Sequence, residues 1–179
     1  MPSLAAPLPL LLLLLLLATS RTALASNTSS PNSSSNSSTP DSGDFQALAA
    51  LYNASRGDNW TRSSGWLQGE PCQGSQSSWF GVSCDGGHVI ALGLQANSLR
   101  GGIPRELGNL TRLQFLSLQS NSLTSSIPRE LGNLTQLREL YLSSNSLTSS
   151  IPRELGNLTQ LRRLSLSSNS LTSSIPRAL

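Results

Sequence analysis

The sequence predicts an α/β repeat: a solenoid with short parallel β-strands on its concave face, closed at the N-terminal end by a helical, disulfide-linked cap. Three observations carry this. A 24-residue motif recurs at residues 107–130, 131–154 and 155–179, after a degenerate first copy. About a fifth of the 179 residues are Leu and only 4% are aromatic, so the apolar volume comes from Leu at regular positions, not from the mixed large side chains of a compact core. Both cysteines and most of the aromatics precede the first clear copy.

Residues 1–25 read as a secretory signal peptide. Residues 8–18 are an apolar run broken only by Pro9, and Ala23-Leu24-Ala25 supplies the small-x-small cleavage pattern, although no Arg or Lys precedes the run. The run is shorter than the roughly 20 helical residues that span a bilayer, and no later segment approaches that length. The mature chain is therefore expected to begin near Ser26, to be secreted, and to carry no transmembrane helix. Residues 26–43 are nearly all Ser, Asn, Thr and Pro and read as a disordered tether, because they cannot bury enough apolar surface to offset ordering.

The cap is expected over residues 44–82. Asp44 is placed as a helix N-cap, with Phe45, Leu48, Leu51 and Tyr52 on one helical face until Gly57 stops the helix. Trp60, Trp66, Trp79 and Phe80 follow, bulky rings suited to cover the open end of a stack whose first coil has no neighbour. In an oxidising compartment Cys72 and Cys84 are read as one disulfide, worth about 3 kcal/mol for so short a loop in the chain-entropy model. A reactive Cys84 near His88 is the alternative, and it has only a lone His to support it.

Residues 83–179 are expected to form four 24-residue repeats, the last one uncapped. Each reads LxxLxLxxNxLxxxIP, as in Leu113, Leu116, Leu118, Asn121, Leu123, Ile127 and Pro128. Leu116 and Leu118 alternate inward on a short strand, and Phe115, Ser117 and Gln119 point outward. Asn97, Asn121, Asn145 and Asn169 form a ladder whose amides satisfy backbone groups after each strand. Each Pro opens a convex helical turn that Gly108, Gly132 or Gly156 is expected to end.

On these residues the chain resembles a plant-type leucine-rich-repeat protein, the family of receptor-like kinase and receptor-like protein ectodomains and of polygalacturonase inhibitors. The resemblance covers about residues 44–179. Its marks are Trp79-Phe80-Gly81-Val82-Ser83-Cys84 and the LxGxIP signature at Leu99-Arg100-Gly101-Gly102-Ile103-Pro104; later copies place Ser125, Ser149 and Ser173 where the family prefers Gly. The stretch Leu51-Tyr52-Asn53-Ala54-Ser55-Arg56-Gly57-Asp58-Asn59-Trp60 is also similar to secreted repeat proteins of algae and related protists. The resemblance implies a right-handed leucine-rich-repeat solenoid that binds proteins, peptides or cell-wall glycans, and it names no ligand.

The binding face is expected to be concave. Phe115 and Tyr141 are its only aromatics and the candidate anchors, joined by Glu139 and Arg163 and flanked by Arg138 and Arg162. Two plainer readings stand beside this: the rings merely cover neighbouring Ser, and Glu139 merely pairs with Arg163. On the convex side Arg105, Arg129, Arg153 and Arg177 recur once per coil and would suit an acidic polysaccharide. Glu106, Glu130 and Glu154 follow them immediately and cancel most of that field, which favours a solvated face. Sequons at Asn27, Asn32, Asn36, Asn53, Asn59, Asn109, Asn133 and Asn157 are candidate glycan sites.

Composition excludes other classes. The net charge of +3, from 12 Arg and no Lys against 9 acids, is too dilute for nucleic-acid binding. Two Cys and one His leave too few ligands for a zinc site, and no cofactor is expected. His88 has Asp85 nearby but no framed nucleophile, and it reads as a turn residue, so no enzyme is expected. The expectation is a secreted or cell-surface recognition module for a protein or peptide ligand. The alternatives are a glycosylated wall-associated structural or polysaccharide-binding protein, or a truncated receptor ectodomain. The exposed Leu face of the last copy also predicts self-association through that repeat.

Overall fold

The computed structural model describes residues 42–73 and 77–172. The expected signal peptide, nearly all of the tether with Asn27, Asn32 and Asn36, and the last copy's Ser173, Ile175 and Arg177 lie outside them. Helix α1 (Ser42–Ala54) leads into a 3₁₀ turn at Gly57–Asn59. Among the described residues nine strands follow: β1 (Val82–Asp85), β2 (His88–Gly93), β3 (Arg100–Gly101), β4 (Phe115–Ser117), β5 (Ser122–Leu123), β6 (Glu139–Tyr141), β7 (Thr148–Ser149), β8 (Arg163–Ser165) and β9 (Ser170–Leu171).

The concave sheet has the order β1-β2-β4-β6-β8. β1 and β2 form an antiparallel hairpin through Gly86 and Gly87, both at positive φ, and every later pair is parallel. Each coil pairs with the residue 24 positions on, so Leu92, Leu116, Leu140 and Leu164 form one inward column. Smaller pairs, β3 with β5 and β7 with β9, run along the side of the stack. On the convex side Arg105–Asn109, Arg129–Asn133 and Arg153–Asn157 form 3₁₀ turns.

The Asn ladder binds these coils together. Asn121 Oδ1 accepts the backbone N–H groups of Asn97 and Leu99, both at 3.0 Å, while its Nδ2 donates to Leu94 O at 2.9 Å and Leu118 O at 3.0 Å. Asn145 and Asn169 repeat the Nδ2 bonds and each accept one N–H, of Leu123 and Leu147 respectively, at 3.0 Å. Asn97 turns the same chemistry on the cap, accepting from Arg62 N at 2.7 Å and donating to Arg62 O at 2.9 Å.

In the cap, Trp60, Trp66 and Trp79 are buried with Leu48 and Leu51, in one core continuous with the coil leucines. Cys72 and Cys84 are bonded, their Cα atoms 5.7 Å apart, and no free thiol remains. Arg62 lies over the Phe80 ring at 4.3 Å.

Several local expectations need correction. α1 begins at Ser42, so Asp44 lies inside it; its buried carboxylate accepts the Val89 N–H at 2.8 Å and fastens the helix to β2. His88 is the first residue of β2, its Nδ1 3.8 Å from Asp44 Oδ2, and not a turn residue. α1 ends at Ala54, before Gly57, with Arg56 in the left-handed region (φ 56°) after it; Gly57 opens the 3₁₀ turn, and its lack of a side chain makes room for the Tyr52 ring. Gly108 and Gly132 do not end the convex turns, which run one residue further; a Cβ there would strike the backbone of Glu130 or Glu154 in the next coil. These glycines set the coil spacing.

Candidate ligand-binding face

The parallel register places Ala91, Phe115, Glu139 and Arg163 in one column, and Gly93, Ser117, Tyr141 and Ser165 in the next. The two aromatic rings therefore meet diagonally, 5.9 Å between centroids and 54° between planes. Ser117, an outward residue on the same strand as Phe115 and paired in register with Tyr141, is only 2% exposed. Phe115 and Tyr141 both remain half-buried.

Glu139 is the hub of the polar half. Tyr141 Oη donates to its Oε2 at 2.8 Å, and Arg163 Nη1 donates to its Oε1 at 2.8 Å across the strand gap. The hydrogen bond to Glu139, then partial burial, then the carboxylate's charge push the Tyr141 phenol's pKa up. The negative charge of Glu139 likewise raises that of Arg163. The pairing expected between Glu139 and Arg163 is thus present, and it also orients a phenol. Arg138 and Arg162 stand one residue ahead of β6 and β8, exposed, their N–H groups bonded to Gln114 O and Arg138 O at 2.8 Å each. Arg163 N also donates to Arg138 O at 3.2 Å, but no side-chain hydrogen bond or ion pair among the described residues joins Arg138 or Arg162 to the Phe115–Tyr141–Glu139–Arg163 cluster. A wide cavity lined by Leu158, Leu161, Leu164 and Leu166 includes Arg162 and Arg163 but neither ring; it lies against the fourth coil, where Leu158 is buried and Leu161, Leu164 and Leu166 are only partly so.

The convex column is neutralised one coil at a time. Arg105, Arg129 and Arg153 reach the following glutamate at 3.1, 3.2 and 3.4 Å. Glu106 and Glu130 titrate below their ordinary range, chiefly because each accepts its own backbone N–H, with the guanidinium also contributing. Asn53, Asn59, Asn109, Asn133 and Asn157 are all exposed; the last three follow each other along the convex side. Among the described residues no group of three His, Cys, Asp or Glu side chains could hold a metal, and no helix is long and apolar enough to cross a membrane.

A stacked Leu core, a mostly parallel concave sheet and a tryptophan-rich disulfide cap define a leucine-rich-repeat module. The chain belongs to the leucine-rich-repeat proteins: the leucine rich repeat N-terminal domain matches residues 41–85, and leucine rich repeat models match residues 112–134 and 124–171. A probable leucine-rich repeat receptor-like protein kinase of Arabidopsis thaliana is 36% identical over 78 residues, 42% of this chain and 7% of the relative. The chain thus spans about a fourteenth of the length of that relative.

Among solved structures, the ectodomain of the receptor kinase SOBIR1 from Arabidopsis thaliana aligns at 30% identity with a TM-score of 0.59, over 73% of this chain and 69% of SOBIR1. A plant ice-binding protein aligns at 34% identity and TM-score 0.67, over 77% of this chain and 44% of that one. The PEPR1–AtPEP1 structure aligns at 30% identity and TM-score 0.61, over 75% of this chain and 19% of that one.

Proposed function

We propose that this chain is an extracellular recognition module whose concave face binds a protein or peptide ligand. The observation that carries the reading is the Phe115–Tyr141 pair, half-exposed on a fixed sheet beside the Glu139–Arg163 ion pair. Aromatic and Arg side chains dominate interface hot spots, and a pre-ordered platform avoids much of the entropy lost on binding. The fold shared with PEPR1, seen with AtPEP1, supports the same reading. Affinity capture from secreted extract of the native host, comparing wild type with Phe115→Ala/Tyr141→Ala, tests it. Each anchor is worth about 2 kcal/mol in such interfaces, so the double variant should retain a discrete partner at least tenfold more weakly. Equal retention by both proteins, or bulk retention on wall polymer alone, would sink the reading in favour of a wall-associated role.

Glycans on Asn109, Asn133 and Asn157 fit this arrangement, since they would crowd the convex side and leave the concave sheet open. Each sequon's Leu is buried while its Asn and Thr are exposed. Glycopeptide mapping of host-derived material should find sugar on these sites; wholly bare asparagines would remove the steric bias toward the concave face.

A further inference from the structure

We propose a second binding site, for the anionic group of an acidic polysaccharide, where the cap meets the first coil. Arg56 and Arg100, 44 positions apart in sequence, line one cavity of about 370 Å³ with Gly101, Ser122 and Thr124, and no carboxylate lines it. The two arginines are brought there by backbone contacts. Arg100 N donates to Ser55 O at 3.1 Å, and Gly101, at φ 104°, sits so close to Ala54 O that a Cβ would strike it. Arg56 is held in the left-handed region, a conformation that costs an Arg energy and that no side-chain contact among the described residues offsets.

Arg105, Arg129, Arg153 and Arg163 each have an acid, and Arg62 has the Phe80 ring. Among the described residues neither Arg56 nor Arg100 forms an ion pair, and Asp58, the acid nearest Arg56 in sequence, accepts the Tyr52 hydroxyl at 2.9 Å. Arg112, Arg138 and Arg162 are likewise without an acid among the described residues, but only Arg56 and Arg100 share this cavity. Two unopposed guanidiniums facing one cavity repel, and an oxyanion between them relieves that cost while accepting charge-assisted hydrogen bonds from both. The arrangement is specific to the first coil: at the position of Arg100 the later copies carry Thr124, Thr148 and Thr172.

The surroundings select a sugar chain. From the cavity the side of the stack continues as exposed hydroxyls, Ser122 and Thr124, then Ser146 and Thr148, with Leu123 and Leu147 buried between them. Hydroxyls at this spacing hydrogen-bond to hydroxyls of a glycan whose carboxylate or sulfate ester sits between the arginines. The acidic-polysaccharide chemistry thus belongs to the cap junction, while the convex arginine column is occupied by its own glutamates.

Titration calorimetry of the full chain at about 0.15 M salt, with dextran sulfate, polygalacturonate, neutral dextran and poly-L-glutamate in parallel, tests this. Binding to dextran sulfate identifies a sulfate ester, and binding to polygalacturonate a carboxylate. Either is expected to weaken about tenfold in Arg56→Gln/Arg100→Gln and less than about twofold in Arg105→Gln/Arg129→Gln, which removes the same charge elsewhere. Arg100→Gln alone, on exposed β3, is the companion variant should the double one fail to fold, with an expected loss of about threefold. Equal weakening by both double variants would reduce the effect to net charge and overturn the site. So would binding to neither acidic polysaccharide, or equally tight Arg56/Arg100-dependent binding to poly-L-glutamate.

Discussion

Replacing Asn121 by alanine is expected to lower the unfolding free energy by about 2–6 kcal/mol, because two buried N–H groups lose their only acceptor and each orphaned donor costs roughly 1–3 kcal/mol. Those donors, Asn97 N and Leu99 N, belong to the preceding coil, and the Asn121 amide also reaches back to Leu94 O at 2.9 Å. The loss therefore falls on the joint between the first and second coils. In a stack whose stability is a sum of coil and interface terms, weakening one joint splits a cooperative transition. Hydrogen exchange should show amides around Leu94 to Leu99 losing protection ahead of those around Leu142. Asn121→Asp sharpens the test: it keeps the acceptor but turns a carboxylate oxygen toward Leu94 O, Leu118 O and Gln119 O, and at neutral pH it should destabilise at least as much as alanine. An Asn121→Ala protein that melts in one transition, within about 2 °C of wild type, would show that the ladder adds nothing the leucines do not supply.

What the sequence made legible is what a strict 24-residue period determines. Once Leu116 and Leu140 are placed inward in register, Phe115, Glu139 and Arg163 must share a column, and the pairing of Glu139 with Arg163 follows. The bond from Tyr141 to Glu139 was within reach of the same logic, as residues two apart on a strand share a face. The convergence of Arg56 and Arg100 was not, because it depends on how the end of α1 seats against β3, and no periodicity links the cap to the first coil. Glycine misled for a related reason. At Gly57, Gly108 and Gly132 turn propensity suggests an element's end, whereas the structure needs missing side-chain volume for Tyr52 or a neighbouring backbone. Conversely, Ser125 and Ser149 hold the positive φ of the family's glycine, 69° and 67°, where the strain costs each roughly 1–2 kcal/mol relative to Gly. Gly101 could not be exchanged in the same way, since only there does Ala54 O approach the Cα.

Replacing Trp79 by alanine is expected to cost about 3–5 kcal/mol, the range for removing a large ring from a core, and to lower the melting temperature by roughly 10–15 °C. Trp79 is 1% exposed and central to the lid: it meets Phe45 edge-on at 5.5 Å and Trp66 at 5.1 Å, and Trp66 in turn meets Trp60 at 4.7 Å and Tyr52 at 5.9 Å. The cavity left behind cannot collapse easily, because Cys72–Cys84 and the Asp44–Val89 bond fix the surrounding backbone on two sides. Phe80→Ala provides the control. That ring is half-buried beneath Arg62, and its loss should cost about 1–2 kcal/mol through cation–π and area terms. The damage in Trp79→Ala should stay at the N-terminal end: near-ultraviolet circular dichroism collapses and α1 amides exchange faster, while the third coil keeps its protection. If α1 instead keeps its protection and the melting temperature moves by less than about 2 °C, the repeat stack sustains itself without the lid. The aromatic cluster would then need an explanation other than covering the first coil.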